Sequence, residues 1–157
     1  MIIDKVAKKE LNLSTDKIKG NFGEMLAAYK LKTVIVKIGE KEGLLKRLSV
    51  DVVVALDQKI KKGIDAVYEF SSPPPKYIIN EVKYGTADLK WNADKTIKQM
   101  DERWIRKNLL DAVNDEDLFY DILKNYKSVL TKVEQKSEKL SHTLLDYKAS
   151  KIGNYLK

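Results

Sequence analysis

Asp65, Glu81 and Lys83 are the residues whose types and spacing could do chemistry. They lie in GIDAVYEFSSPPPKYIINEVKYG, residues 63–85, where two apolar runs flank a Ser-Ser-Pro-Pro-Pro turn. With the turn centred on Pro73, Asp65 stands eight residues before it and Glu81 eight after. Residues equidistant from the turn of an antiparallel hairpin lie opposite one another, with Cβ atoms about 5 Å apart. Strand period two then sets Lys83 on the face of Glu81, ~6–7 Å further along. Two carboxylates at the edge of an apolar sheet can hold Mg²⁺, Mn²⁺ or Zn²⁺ through hard oxygens, shared with a substrate phosphate. Such a cation activates water and polarises phosphorus, while a lysine orients the water or neutralises charge growing on the phosphate. That is the chemistry of metal-assisted phosphodiester hydrolysis. Glu-x-Lys on one strand face is also a common solvated ion pair, and the hairpin by itself leaves both readings open.

Composition narrows the alternatives. The 157 residues, 43% hydrophobic and 34% charged, predict one domain with a real core. Zero cysteines exclude a disulfide scaffold, zinc–thiolate sites and thiol catalysis. A single histidine, His142, excludes chemistry that needs a histidine pair. Carboxylates and lysines must therefore carry any catalysis. The net charge of +7 favours a polyanionic partner, nucleic acid first. No apolar run approaches the ~20 residues of a membrane span. The N-terminal stretch MIIDKVAKKELNL lacks the apolar core of a signal peptide.

The elements that must position these residues follow from periodicity. Ser14, Thr15 and Asp16 are good N-cap types. Phe22, Met25, Leu26 and Tyr29 form one stripe of an amphipathic helix reaching about Leu31, with Gly20 and Gly23 moving its expected start to near Asn21. Thr33 to Gly39 reads as a β-branched strand closed by a Gly-Glu-Lys-Glu-Gly turn, and Leu48 to Asp57 as a second strand. After the hairpin, Ala93 to Val113 predicts a long helix carrying Ile97, Met100, Trp104 and Ile105 on one face, followed by a helix over Glu116 to Tyr126. KSVLTKVEQ is strand-like, and HTLLDYKASKIG fits strand or helix. The class is α/β, a mixed central sheet flanked by helices.

An acidic residue on the first helix, Asp at the head of one strand and Glu-x-Lys on the next resembles the PD-(D/E)XK nuclease superfamily. KGNFGE (Lys19 to Glu24), GIDAVY (Gly63 to Tyr68), EVKYG (Glu81 to Gly85) and KQMDERWI (Lys98 to Ile105) together resemble nuclease domains of bacterial polymorphic toxins, of which the contact-dependent growth inhibition toxins are the best known. The resemblance covers Lys19 to Ile105 and leaves residues 106–157 without a role. It implies a restriction-endonuclease-like core, Asp65 and Glu81 as metal ligands, Lys83 as catalytic lysine and Glu24 as an extra carboxylate in the metal shell. It also implies Gln99 as an active-site hydrogen-bonder on the second helix. The chain has Ile64-Asp65 in place of Pro-Asp.

The family further implies DNA or tRNA as substrate, with DNA ahead. Delivery by a larger secreted or cell-surface protein is implied too, with action in the cytoplasm of a target bacterium and a cognate immunity protein. The charge predicts that this inhibitor is acidic. For Glu24 the simpler alternative is an exposed glutamate favoured by the helix dipole. Trp104 and Tyr84 read as packing. Lys90, Lys95, Lys98, Arg103, Arg106 and Lys107 could meet phosphates or form a solvated face. His142, far from every motif, is expected to be neither ligand nor base. Two other readings compete: a cellular repair or junction-resolving nuclease of the same fold, and a non-catalytic basic nucleic-acid-binding module.

Overall fold

The computed structural model describes Leu13 and residues 15–156. Ser14 and the N-terminal stretch considered above, apart from Leu13, lie outside the described residues. Helix α1, Asp16–Thr33, begins at Thr15, whose hydroxyl accepts a hydrogen bond from the Ile18 N–H at 3.2 Å. The expected start near Asn21 is thus corrected, because the cap outweighs the two glycines. Gly23 has a packing reason: a Cβ there would stand 3.4 Å from the Tyr84 Cβ. The stripe also turns. Phe22 and Leu26 are buried, whereas Tyr29 is exposed.

Two short strands, β1 (Val36–Ile38) and β2 (Lys41–Gly43), pair antiparallel as a separate ribbon. Thr33 belongs to the helix, and the expected Gly39–Gly43 turn shrinks to Gly39-Glu40, with Gly39 in the left-handed region (φ 60°). The main sheet has six strands in the order β3-β4-β5-β6-β7-β8. They are Leu45–Arg47, Ala66–Phe70, Tyr77–Tyr84, Tyr126–Val133, Leu140–Leu145 and Lys151–Asn154. Only β5 and β6 pair in parallel, and the chain between them carries α2 (Glu102–Val113) and α3 (Glu116–Lys124). A parallel pair needs such a crossover. The sheet is therefore mixed and flanked by helices, an α/β architecture. The region after residue 106 contributes three of its six strands, and both HTLLDYKASKIG segments are strands.

Strand alternation divides the core. Val67, Ile79 and Leu130 pack with Ile105, Leu109 and Ile122 of α2 and α3. Tyr68, Ile78 and Val129 pack on the opposite face with Leu31 of α1 and Val36 and Ile38 of the ribbon. Trp104 lies half-buried against the first cluster, and Tyr84 meets the Phe22 ring edge-on at 5.9 Å. Both are packing residues, as expected.

Two expectations fail for local reasons. Leu48 to Asp57 is no strand: Leu48 still bonds to Val67 O, but the Ser49 hydroxyl then takes the Val67 N–H and the chain leaves the sheet. Val50, Val52 and Val54 are exposed. The helix expected from Ala93 starts only at Glu102. Asn92 Oδ1 accepts the Thr96 and Ile97 N–H groups, and Asp94 accepts from the Thr96 hydroxyl. These side chains capture backbone donors that a helix would use. Asp101 caps the true start by accepting from Trp104 N–H at 2.8 Å.

Candidate active site

The register around the proline turn decides which residues meet. Strands β4 and β5 pair Ala66 with Asn80, Val67 with Ile79, Tyr68 with Ile78 and Glu69 with Tyr77. One further step places Asp65 opposite Glu81, as counting outward from Pro73 requires. The ladder stops there because the Asp65 side chain replaces it: its Oδ2 accepts the Val82 N–H at 2.7 Å. Along β5, Glu81 and Lys83 share the face of Ile79, while Asn80, Val82 and Tyr84 face α1. Glu24 comes from α1, next to the Gly23 that lets this helix approach β5.

Glu81 is 3% exposed. Its Oε1 accepts a hydrogen bond from Gln99 Nε2 at 2.7 Å and lies 3.4 Å from Lys83 Nζ. Its Oε2 is buried without a hydrogen-bond partner. Gln99 is held in turn, since its Oε1 accepts the Lys90 N–H. The expected location of Gln99 on the second helix is corrected. It lies in the turn before α2, three residues short of Glu102, and from there donates to Glu81.

Electrostatics sets the three carboxyl groups apart from the rest of the chain. Burial and the neighbouring Asp65 carboxylate push Glu24 up to about 8, against the opposing pull of Arg47 and Lys83. Burial raises Asp65 as well, although the Val82 N–H bond acts the other way. Burial and Asp65 raise Glu81 well above the ordinary carboxylate range. The protein brings three acidic groups together and only partly offsets their charge.

Sequence reasoning missed two residues, Arg47 and Asn21, and the segment they hold. Arg47 on β3 donates to the carbonyls of Asp51 and Asp65 at 2.6 and 3.0 Å. Its signal was available: a charged residue at the inward-facing step two after the buried Leu45. Asn21, 3% exposed, donates to the carbonyls of Leu56 and Gln58 at 2.8 and 2.7 Å. Together they hold the segment 50–64 as a strap beside the site. Between the strap, α1 and α2 runs a cleft of about 370 Å³ lined by Glu24 and Asp65. Its cations are Lys59, Lys61 and Lys62 of the strap, not the lysines and arginines near α2. Of those, Lys98 bonds to Ala149 O, Arg103 to Thr96 O and Arg106 to Glu102. His142 hydrogen-bonds to Thr131 on β6 and contacts none of the carboxylates.

Among the described residues, no group of three His, Cys, Asp or Glu side chains is assembled to hold a metal ion by itself. The residues present do fit a hard divalent cation of the kind that uses one or two carboxylates and fills its remaining positions with water and phosphate. Glu81 Oε2 is an orphaned anionic acceptor, and Asp65 faces it with one oxygen outside the bond to Val82. No family model matches the chain, and no curated protein or solved structure is significantly similar to it. Among the described residues, no helix is long and apolar enough to cross a membrane.

Proposed function

We propose that the chain is a metal-dependent nuclease, the toxin domain of a larger delivered protein, hydrolysing phosphodiester bonds of DNA or tRNA in a target bacterium. The observation that carries this reading is the pairing of Asp65 with Glu81, whose Oε2 is buried and unpartnered. A buried carboxyl oxygen without a partner costs ~1–3 kcal/mol or more, and a cation shared with Asp65 would relieve that cost.

Asp65 and Glu81 would hold the cation, with Glu24 beside them; when bound, it would lower the pKa of water and polarise phosphorus. Gln99 fixes the rotation of Glu81 by bonding to Oε1, so that Oε2 is the oxygen left for a ligand. Lys83, tethered 3.4 Å from Glu81, keeps an ammonium where the attacking water must be oriented and where charge accumulates on the phosphate. The net charge of +7 suits both a polyanionic substrate and an acidic immunity protein as inhibitor.

The test incubates the purified chain with plasmid DNA and with total tRNA, with Mg²⁺, Mn²⁺, Zn²⁺ or EDTA. Cleavage that EDTA stops, and that Asp65→Ala and Lys83→Ala abolish, is the expected result. Variants that cut as fast as the parent would sink the mechanism. Binding without turnover under every metal would favour a non-catalytic basic module. Expression in a naive bacterium should arrest growth, which a housekeeping nuclease would not do.

A further inference from the structure

Resting on that nuclease reading, we infer that the cleft takes one unpaired nucleotide, so that the substrate is single-stranded or locally unpaired nucleic acid rather than intact duplex. The inference starts from the strap. Arg47 ties its two ends by binding the carbonyls of Asp51 and Asp65. Asn21 ties its middle to α1, and the Val50 N–H bonds to Ala112 O at the end of α2. Gln58 closes it internally, accepting from Val54 N–H and donating to Val52 O. This is a compact loop packed by its own side chains. It forms a wall of the cleft.

The volume then limits what can enter. About 370 Å³ is near the lower end of the ~300–1,000 Å³ typical of small-molecule pockets. The cleft is lined by Asp65 and Glu24 and not by Glu81 or Lys83, so a phosphate entering here approaches from the Asp65 side and brings its nucleotide between the strap and α2. In a duplex that base is stacked and paired, and extruding it costs a few kcal/mol; an unpaired base is spared that cost.

The lining supports the same orientation. Lys59 and Lys62 stand on the strap wall, both exposed, and suit the phosphates flanking the bound nucleotide. Asn108 and Asp111 of α2 stand on the wall across from them. Asn108 gives one amide hydrogen to Trp104 O and turns Oδ1 toward Gly63 of the strap, so with Asp111 this wall offers acceptor oxygens. Acceptors repel phosphate and match the amino edges of bases. The backbone therefore runs along the strap and the base points to α2.

The experiment uses an end-labelled hairpin with a single-stranded tail, made in DNA and in RNA, with Mn²⁺ present. Cuts should fall in the loop and tail at least ~10-fold faster than in the stem. Lys59→Ala with Lys62→Ala, both surface changes, should raise KM ~10-fold at low salt. The same pair should flatten the log–log salt dependence by about 1.4, at ~0.7 per single-strand phosphate contact. Stem cutting within threefold of loop cutting overturns the inference and leaves hydrolysis standing, and an unchanged salt slope removes the two lysines from it. If no substrate is cut, hydrolysis falls. The cleft is then judged by anisotropy titration of labelled single-stranded and duplex 12-mers in EDTA, where a preference for single strands below threefold overturns it.

Discussion

Asn80 and Glu81 are neighbours on β5, both buried, and their side chains face opposite sides of the sheet. The polar groups around them are organised in opposite ways. Asn80 donates to Val129 O at 3.0 Å and to the Thr131 hydroxyl at 2.7 Å. That hydroxyl lies 2.8 Å from His142 Nδ1. The hydroxyl has one hydrogen and two lone pairs, so a neutral imidazole completes the contact in either tautomer, by accepting that hydrogen at Nδ1 or by donating Nδ1–H to the second lone pair. Burial agrees, holding His142 down to about 4. The chain Asn80–Thr131–His142 is neutral throughout and leaves one amide oxygen, Asn80 Oδ1, without a partner. At the end of the β4–β5 ladder, Glu81 from the other face meets Asp65 and, from α1, Glu24, and the pKa values of all three carboxyl groups rise. The first group is neutral, with one orphaned amide oxygen, and ties β5 to β6 and β7; the second gathers ionisable groups whose pKa values are pushed from their ordinary range, the kind of cluster found at functional sites.

The largest expected contrast comes from the two neighbours themselves. Glu81→Gln should cut nuclease activity at least ~10³-fold and leave Tm unchanged or raised, because a neutral amide relieves the crowding. Asn80→Ala should leave a folded nuclease but cost about 2 kcal/mol, roughly 4–8 °C in Tm, by stranding Val129 O and the Thr131 hydroxyl. A Tm drop of more than ~5 °C for Glu81→Gln would make Glu81 a structural ion-pair partner of Lys83, and the contrast would fail.

A cation should sharpen the contrast next. Saturating Mn²⁺ at ~100 times Kd stabilises by about 2.7 kcal/mol. The gain in Tm should be larger near pH 8 than near pH 6, since the ligands must be deprotonated. Glu81→Gln should lose that gain, whereas Asn80→Ala should keep it. Equal gains in both variants would place the cation elsewhere.

The metal-free protein should show the crowding directly. Glu24 moves from an ordinary 4.5 to about 8 on folding, so the folded chain keeps a proton that the unfolded chain has lost. Its contribution is fully present below pH 4.5 and is lost as pH rises toward 8. Tm should fall across that window, and Glu24→Gln should flatten the fall. A parent Tm that is flat from pH 5 to about 8 would contradict the raised carboxyls.

How much of this was legible depended on whether a residue's partner could be found by counting. Asp65, Glu81 and Lys83 were, because a hairpin pairs residues symmetrically about its turn and Pro73 marked the centre. Glu24 came from the resemblance and not from periodicity. Gln99 was expected as a hydrogen-bonder on the second helix, with no partner named, and the element was wrong because the apolar spacing of Ile97, Met100 and Trp104 imitates a helix. What broke that helix was the capture of backbone donors by Asn92 and Asp94. The strap was missed altogether. Val50, Val52 and Val54 alternate like a strand, but pairing needs a neighbour. The neighbour was lost once Ser49 took the Val67 N–H. Arg47 and Asn21 act through the carbonyls of that irregular segment, contacts that no period predicts.

The smallest effect belongs to the neutral chain and has the opposite sign. His142 drops from an ordinary 6.5 to about 4, so the unfolded chain binds a proton that the folded one refuses. Its contribution is present above pH 6.5 and is lost as pH falls toward 4. In His142→Asn, Oδ1 can take the place of Nδ1 and accept the Thr131 hydrogen, but it cannot be protonated in this range. The variant should lose under ~1 kcal/mol at neutral pH, about 2–4 °C in Tm, and should show no fall in Tm between pH 6.5 and 4. Asp88, Asp94 and Asp121 do not obscure this window. Their carboxyls are held below an ordinary 3.8, so their contributions are lost only as pH falls below that value. An acid limb that persists in His142→Asn above pH 4 would mean that this imidazole is not its source.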